Sequence, residues 1–84
     1  MENNHFTKLS FKLVQKYYRD EYETLVSVDD LYVVWLVKAL QNNKCLIGTR
    51  DKGDTSYFEF TYNGDEKEIY MDVYEKRMNK AIRL

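Results

Sequence analysis

The sequence has no proline, a single cysteine, a single histidine and no excess of charge of either sign. Each absence excludes something. Without proline the usual marker of linkers and disordered tails is missing, and no internal repeat or low-complexity segment divides the 84 residues. A chain of that length has room for one core, so residues 1–84 read as one domain. Cys45 alone permits no internal disulfide, which predicts a reducing, cytoplasmic setting. The opening MENNHFTKLSFK lacks the basic start and apolar block of a signal peptide. No apolar run approaches the roughly 20 residues that span a bilayer, so no membrane partner is expected. His5 and the distant Cys45 offer no ligand set, and no metal, cofactor or catalytic constellation is expected. With 13 Lys plus Arg against 14 Asp plus Glu, the formal net charge of -1 argues against nonspecific nucleic-acid binding.

What is present centres on LYVVWLVKAL, residues 31–40, where only Lys38 is charged. Its Val, Tyr and Trp content suits a pleated surface, and polar residues bound it on both sides, so it reads as a central strand. Simple alternation would put Val33, Trp35, Val37 and Ala39 on one face and Tyr32, Val34, Leu36 and Leu40 on the other. Both faces are apolar, so both call for cover.

Residues 1–4 are polar and expected to fray. From Phe6, apolar residues recur at Leu9, Leu13, Val14, Tyr17, Tyr18 and Tyr22, the three-and-four spacing of an amphipathic helix that fades near Glu23, with Thr7 or Asn4 as cap. Lys8, Lys12, Lys16 and Arg19 fall on its far side. After the central run, QNNK (residues 41–44) predicts a tight hairpin, because Asn tolerates the left-handed backbone such turns need. Lys44 to Thr49 then forms a second strand in which Cys45 reads as a small buried hydrophobe. RDKGD (residues 50–54) is a plain turn, since neither a calcium-loop nor a phosphate-loop pattern is complete in it. In TSYFEFTY (residues 55–62), Phe58, Phe60 and Tyr62 alternate with Tyr57, Glu59 and Thr61, as in a strand with an aromatic inner face.

Residues 65–84 fit two readings. Asp65 and Glu68 resemble a capping pair, Ile69, Tyr70, Val73, Tyr74, Met78, Ala81 and Ile82 keep helical spacing, and acids lead while bases trail, all of which favour a helix. Yet Ile69, Met71 and Val73 also alternate with Tyr70, Asp72 and Tyr74 behind an Asn63-Gly64 hairpin signal. The expected fold class is therefore α+β, a small antiparallel three-stranded meander flanked by an N-terminal and a C-terminal helix. The alternative is a helix followed by a four-stranded antiparallel sheet. With both helices on one face the other stays bare, which predicts a homodimer; one helix on each face would give a monomer.

The residues YVVW (32–35), LQN (40–42) and TYNGD (61–65), with the spacing of Tyr70, Asp72 and Tyr74, resemble a family of small uncharacterised proteins encoded by phages and prophages of Gram-positive bacteria. The resemblance covers residues 31–74, about half the chain, and leaves the N-terminal helix outside it. It implies a phage genome and a bacterial host cytoplasm, and it carries no functional residues across.

Three function classes compete. Small size, eight tyrosines and eight acids between Asp51 and Glu75 favour a noncatalytic accessory protein that binds a host or phage protein, one concrete form being an inhibitor of a host enzyme or defence system. Tyr57, Tyr70 and Tyr74 are the expected contact residues. A nucleic-acid-binding or regulatory module would rest on Lys8, Lys12, Lys16 and Arg19 together with Lys76, Arg77, Lys80 and Arg83. An enzyme is not expected, because no pair of titratable groups stands out as acid and base.

Overall fold

A computed structural model describes residues 1–50 and 54–84. Helix α1 (Asn3–Tyr22) is followed by a short 3-10 turn (Val28–Asp30) and four strands: β1 (Leu31–Ala39), β2 (Asn42–Thr49), β3 (Ser56–Asn63) and β4 (Glu68–Glu75). The strands form one antiparallel meander in the order β1-β2-β3-β4. Residues 51–53, the middle of the expected 50–54 turn, lie outside the described residues.

Three expectations are corrected. The segment after Asn63 is a fourth strand, so the three-stranded meander with a C-terminal helix gives way to the helix-plus-four-strand alternative. Ile69 and Val73 satisfy either period, and pairing with the otherwise open edge of β3 decides for the strand. Residues 31–39 form an edge strand, not the central one, because the strands pair in chain order and leave β1 with a neighbour on one side alone. The faces of β1 also differ from simple alternation. A bulge at Val34 shifts the register, so Val33 joins Leu31 and Leu36 towards the helix while Tyr32, Trp35, Val37 and Ala39 share the other side.

Helix α1 begins earlier than expected. Glu2 caps it by accepting from the Asn4 backbone N–H at 2.7 Å, in place of Thr7 or Asn4, and the first residues are held rather than frayed. The anchor is Asn43, buried on β2, whose side-chain amide donates to the Met1 carbonyl at 2.9 Å and to Asn3 Oδ1 at 3.1 Å. Further along, buried Ser10 brings the helix close to the sheet, with Cys45 Sγ 3.6 Å from its hydroxyl. Burial pushes the Cys45 thiol up, the state of an inert packed thiol. Phe6, Val14 and Tyr18 from α1 meet Leu31, Cys45, Ile47, Phe58 and Phe60 from the sheet to make the core. Phe58 lies edge-on to the rings of Tyr17 and Tyr18, with centroids 5.3 and 5.6 Å apart.

The first hairpin turns two residues before the expected position. Leu40 and Gln41 form the turn, and Leu40, 95% exposed, takes the left-handed conformation at φ 56°. The asparagines are committed elsewhere: Asn43 to the helix start, and Asn42 Oδ1 to the Gly64 N–H at 3.1 Å, which ties the two hairpin turns together. Leu40→Gly removes backbone strain and forfeits almost no packing. It is expected to stabilise the protein by about 1 kcal/mol, read as a higher denaturant midpoint with unchanged slope.

At the far end of the sheet the Tyr18 hydroxyl donates to Asp54 Oδ2, and Asp54 Oδ1 accepts from the Ser56 N–H at 2.7 Å. Burial pushes the Asp54 carboxyl up, but these hydrogen bonds outweigh it and hold the group below the ordinary value. A carboxyl depressed in the folded state contributes stability above its unfolded pKa of about 3.9, and that contribution disappears as pH falls through the lower folded value. Tyr18→Phe is therefore expected to cost about 1 kcal/mol at neutral pH. Acid titration of stability checks the cause, since the variant should lose less than the parent below pH 4.

Candidate functional site

Helix α1 covers one side of the sheet, and among the described residues no element covers the other. The register places that open side in rows. Tyr32, Gly48, Tyr57 and Tyr74 lie across the strands in one row; Trp35, Leu46, Glu59 and Asp72 in the next; Val37, Lys44, Thr61 and Tyr70 in the third. The three tyrosines expected to make contact thus share one face. Tyr57 and Tyr74 are direct cross-strand partners, and Tyr70 lies two positions beyond Asp72 on β4. Tyr70 and Tyr74 are each 51% exposed and Trp35 is 37% exposed.

Each position has a local cause. The Tyr32 ring lies across Gly48, where a Cβ would come within 2.5 Å of it, so only glycine lets the ring lie flat on β2. The Arg50 guanidinium stands 5.2 Å from the centre of the same ring. A hydrogen bond with Tyr57, then burial, raises the Tyr32 phenol pKa. This corner is well braced. The middle row is different in kind: it sets two carboxylates, Glu59 and Asp72, side by side between the tyrosine row and the row that ends in Tyr70. Lys44 Nζ lies 3.7 Å from Glu59 Oε1, and the Tyr74 hydroxyl donates weakly to the same oxygen at 3.5 Å. The Glu59 charge, followed by burial and the Asp72 charge, raises the Tyr74 phenol pKa, and a hydrogen bond to Glu68 raises that of Tyr70. Both phenols therefore stay neutral donors at physiological pH.

The centre of the face holds two carboxylates against one ammonium, framed by rings. Successive same-face residues on a strand stand about 7 Å apart, so Asp72 takes the position midway between Tyr70 and Tyr74 on β4. A guanidinium or ammonium placed over Asp72 would meet a carboxylate with a tyrosine at the next same-face position on either side. Sequence reasoning found the tyrosines and, only as members of the acidic stretch from Asp51 to Glu75, Glu59 and Asp72; it missed Trp35 and Leu46. Trp35 joins them only through the bulge at Val34, and Glu59 and Asp72 meet only through the β3–β4 register.

Other features offer less. His5 is exposed at the rim of a shallow hollow with Lys8, Leu9 and Lys12. Among the described residues no group of His, Cys, Asp and Glu side chains is placed to hold a metal ion. No described helix is long and apolar enough to cross a membrane. The exposed Lys8, Lys12 and Arg19 lie along α1 on the opposite side of the molecule from the tyrosines, and Lys16 is paired with Asp20 at 2.5 Å.

The chain belongs to a family of unknown function (DUF6275), whose model matches residues 6–84. The match includes α1, which is therefore part of the family's domain and not an addition outside it. No curated protein and no solved structure matches the chain.

Proposed function

We propose that this chain is a noncatalytic protein-binding module whose open sheet face receives a basic segment of a partner protein. The observation that carries the reading is the row Trp35–Leu46–Glu59–Asp72, an excess of carboxylate set on an apolar floor between tyrosines. An arginine or lysine of the partner would occupy the place over Asp72. Tyr57, Tyr70 and Tyr74 would supply broad contact at small entropic cost. The resemblance to phage and prophage proteins gives the context: a bacterial host cytoplasm, a target that is a host or phage protein, and inhibition of a host enzyme or defence system as the outcome of binding.

A homodimer fits this assignment through another surface. Stacking two copies face to face would bury two Glu59 and two Asp72 against only two Lys44, and unpaired buried charge is costly. The β1 edge has no such burden, with Val33 and Val34 exposed and Lys38 as its one charge. We propose that edge as the route of self-association, which leaves the tyrosine face free.

Affinity capture from bacterial lysate, with and without nuclease, tests the reading. A stoichiometric protein is expected to survive nuclease and to be lost by the combined variant Tyr57→Ala, Tyr70→Ala and Tyr74→Ala, with circular dichroism checking that the variant is folded at the capture temperature. Unchanged capture by that variant would move the site elsewhere. A second reading, nucleic-acid binding, has the exposed Lys8, Lys12 and Arg19 in its favour. It requires a mobility shift at low salt, where phosphate contacts are strongest, and the absence of one there removes it.

A further inference from the structure

A four-stranded sheet is about 19 Å wide, whereas a helix with its side chains is about 10–12 Å across. One helix cannot cover it. On the α1 side, Met71 and Val73 face the same way as buried Phe60 and Phe58, yet they remain 39% and 40% exposed. Between α1 and β4 runs a groove of about 260 Å³, lined by Leu13, Lys16 and Tyr17 from the helix and by Ile69 and Met71 from the strand. Asp20 and Glu21 stand on its rim at the helix C-terminal end.

The segment that leaves β4 has the complementary chemistry. Residues 76–84 form neither helix nor strand and are exposed throughout. They contain Lys76, Arg77, Lys80 and Arg83 with no acid, and Met78, Ala81 and Ile82 fall on one side at helical spacing. The segment starts beside the acidic rim. The Lys76 N–H donates to the Thr55 carbonyl at 2.8 Å, and Glu75 shares a hollow with Tyr18 and Tyr22 at the end of α1.

We propose that the groove between α1 and β4 is the docking site of the protein's own C-terminal segment, residues 76–84, which folds there as a short second helix. Nine helical residues span about 14 Å, the distance from Val73 back to Ile69 along the strand. The apolar side, Met78 with Ala81 and Ile82, covers Met71 and Val73. Lys76 and Arg77 meet Glu21 where the segment begins, beside Asp20, which already pairs with Lys16. So short a helix is marginal by itself, so it forms only when docked, and the exposed segment is its released state. Docking completes the layer over β4 and leaves the tyrosine face open. This inference stands independently of the role proposed for that face.

Paired cysteines in the full chain test it, with native Cys45 buried in the core. Leu13→Cys with Ile82→Cys is expected to form an intrachain disulfide on mild oxidation, seen as a monomer band whose mobility reverts on reduction. Arg19→Cys with Ile82→Cys, nearer the tether but off the groove, should form at least about fivefold less. Equal yields from the two pairs, or disulfides mainly between chains, would overturn the proposal. As a second readout, Met78→Asp with Ile82→Asp is expected to lower the melting temperature by about 4 °C or more. A segment that stays in water would leave it unchanged, and that result also overturns the proposal.

Discussion

Phe58→Ala is expected to bring the protein close to its unfolding threshold at 25 °C. The side chain is fully buried at the centre of β3, between the helix-side neighbours Ile47 and Val73, with Tyr17 and Tyr18 edge-on above it. Removing a buried phenylalanine costs about 3–5 kcal/mol, counting lost transfer energy and the cavity left behind. A domain of this size has about 4–13 kcal/mol in total, at the customary stability per residue. Because Tyr17 and Tyr18 both rest on Phe58, the change also loosens the seat of α1 and the Tyr18–Asp54 contact. Denaturant titration followed by circular dichroism should show a collapsed midpoint, and Phe58→Leu should recover most of it. A loss under about 1 kcal/mol would mean that α1 does not pack where the structure places it.

The second large effect belongs to binding and not to folding. Asp72→Lys turns the centre of the tyrosine face from acidic to basic while changing an exposed side chain with no close partner among the described residues. Stability should move by no more than about 0.5 kcal/mol, as for ordinary surface changes. Capture of a partner through a basic segment should fall by at least about 100-fold, since the reversal removes an attraction and installs a repulsion at the same point. Asp72→Asn should fall between the parent and the lysine variant, and raising the salt concentration should narrow all three differences. A lysine variant that captures its partner as well as the parent does would remove Asp72 from the site.

Much of this architecture is legible in the residues. The three-and-four spacing from Phe6 to Tyr22 marks α1, and the alternation of Phe58, Phe60 and Tyr62 marks β3 with its inner face correctly assigned. What could not be read is decided by contacts between distant residues. The bulge at Val34 depends on how β1 matches β2, and without it Trp35 belongs to the wrong face. The strand from Glu68 to Glu75 satisfies two periods at once, and only the free edge of β3 chooses between them. Leu40 adopts a left-handed turn that its own preference opposes, because Asn42 and Asn43 are held by Gly64 and by the start of α1. The site was half visible for the same reason. Parity puts Tyr70 and Tyr74 together on any strand, whereas the pairing of Tyr57 with Tyr74 and of Glu59 with Asp72 follows from a register that the sequence does not state.

The tyrosine face as a receptor for basic segments can be tested directly through Trp35, the protein's one tryptophan, which lies on that face beside Leu46 in the same row as Asp72. Titrating the full chain with an eight-arginine peptide at low salt should give a saturable change in tryptophan fluorescence. The apparent affinity should weaken at least about tenfold in Asp72→Lys and remain that of the parent in Asp65→Lys, a reversal in the β3–β4 turn away from the tyrosines. No saturable change, or equal weakening by both substitutions, would contradict the account.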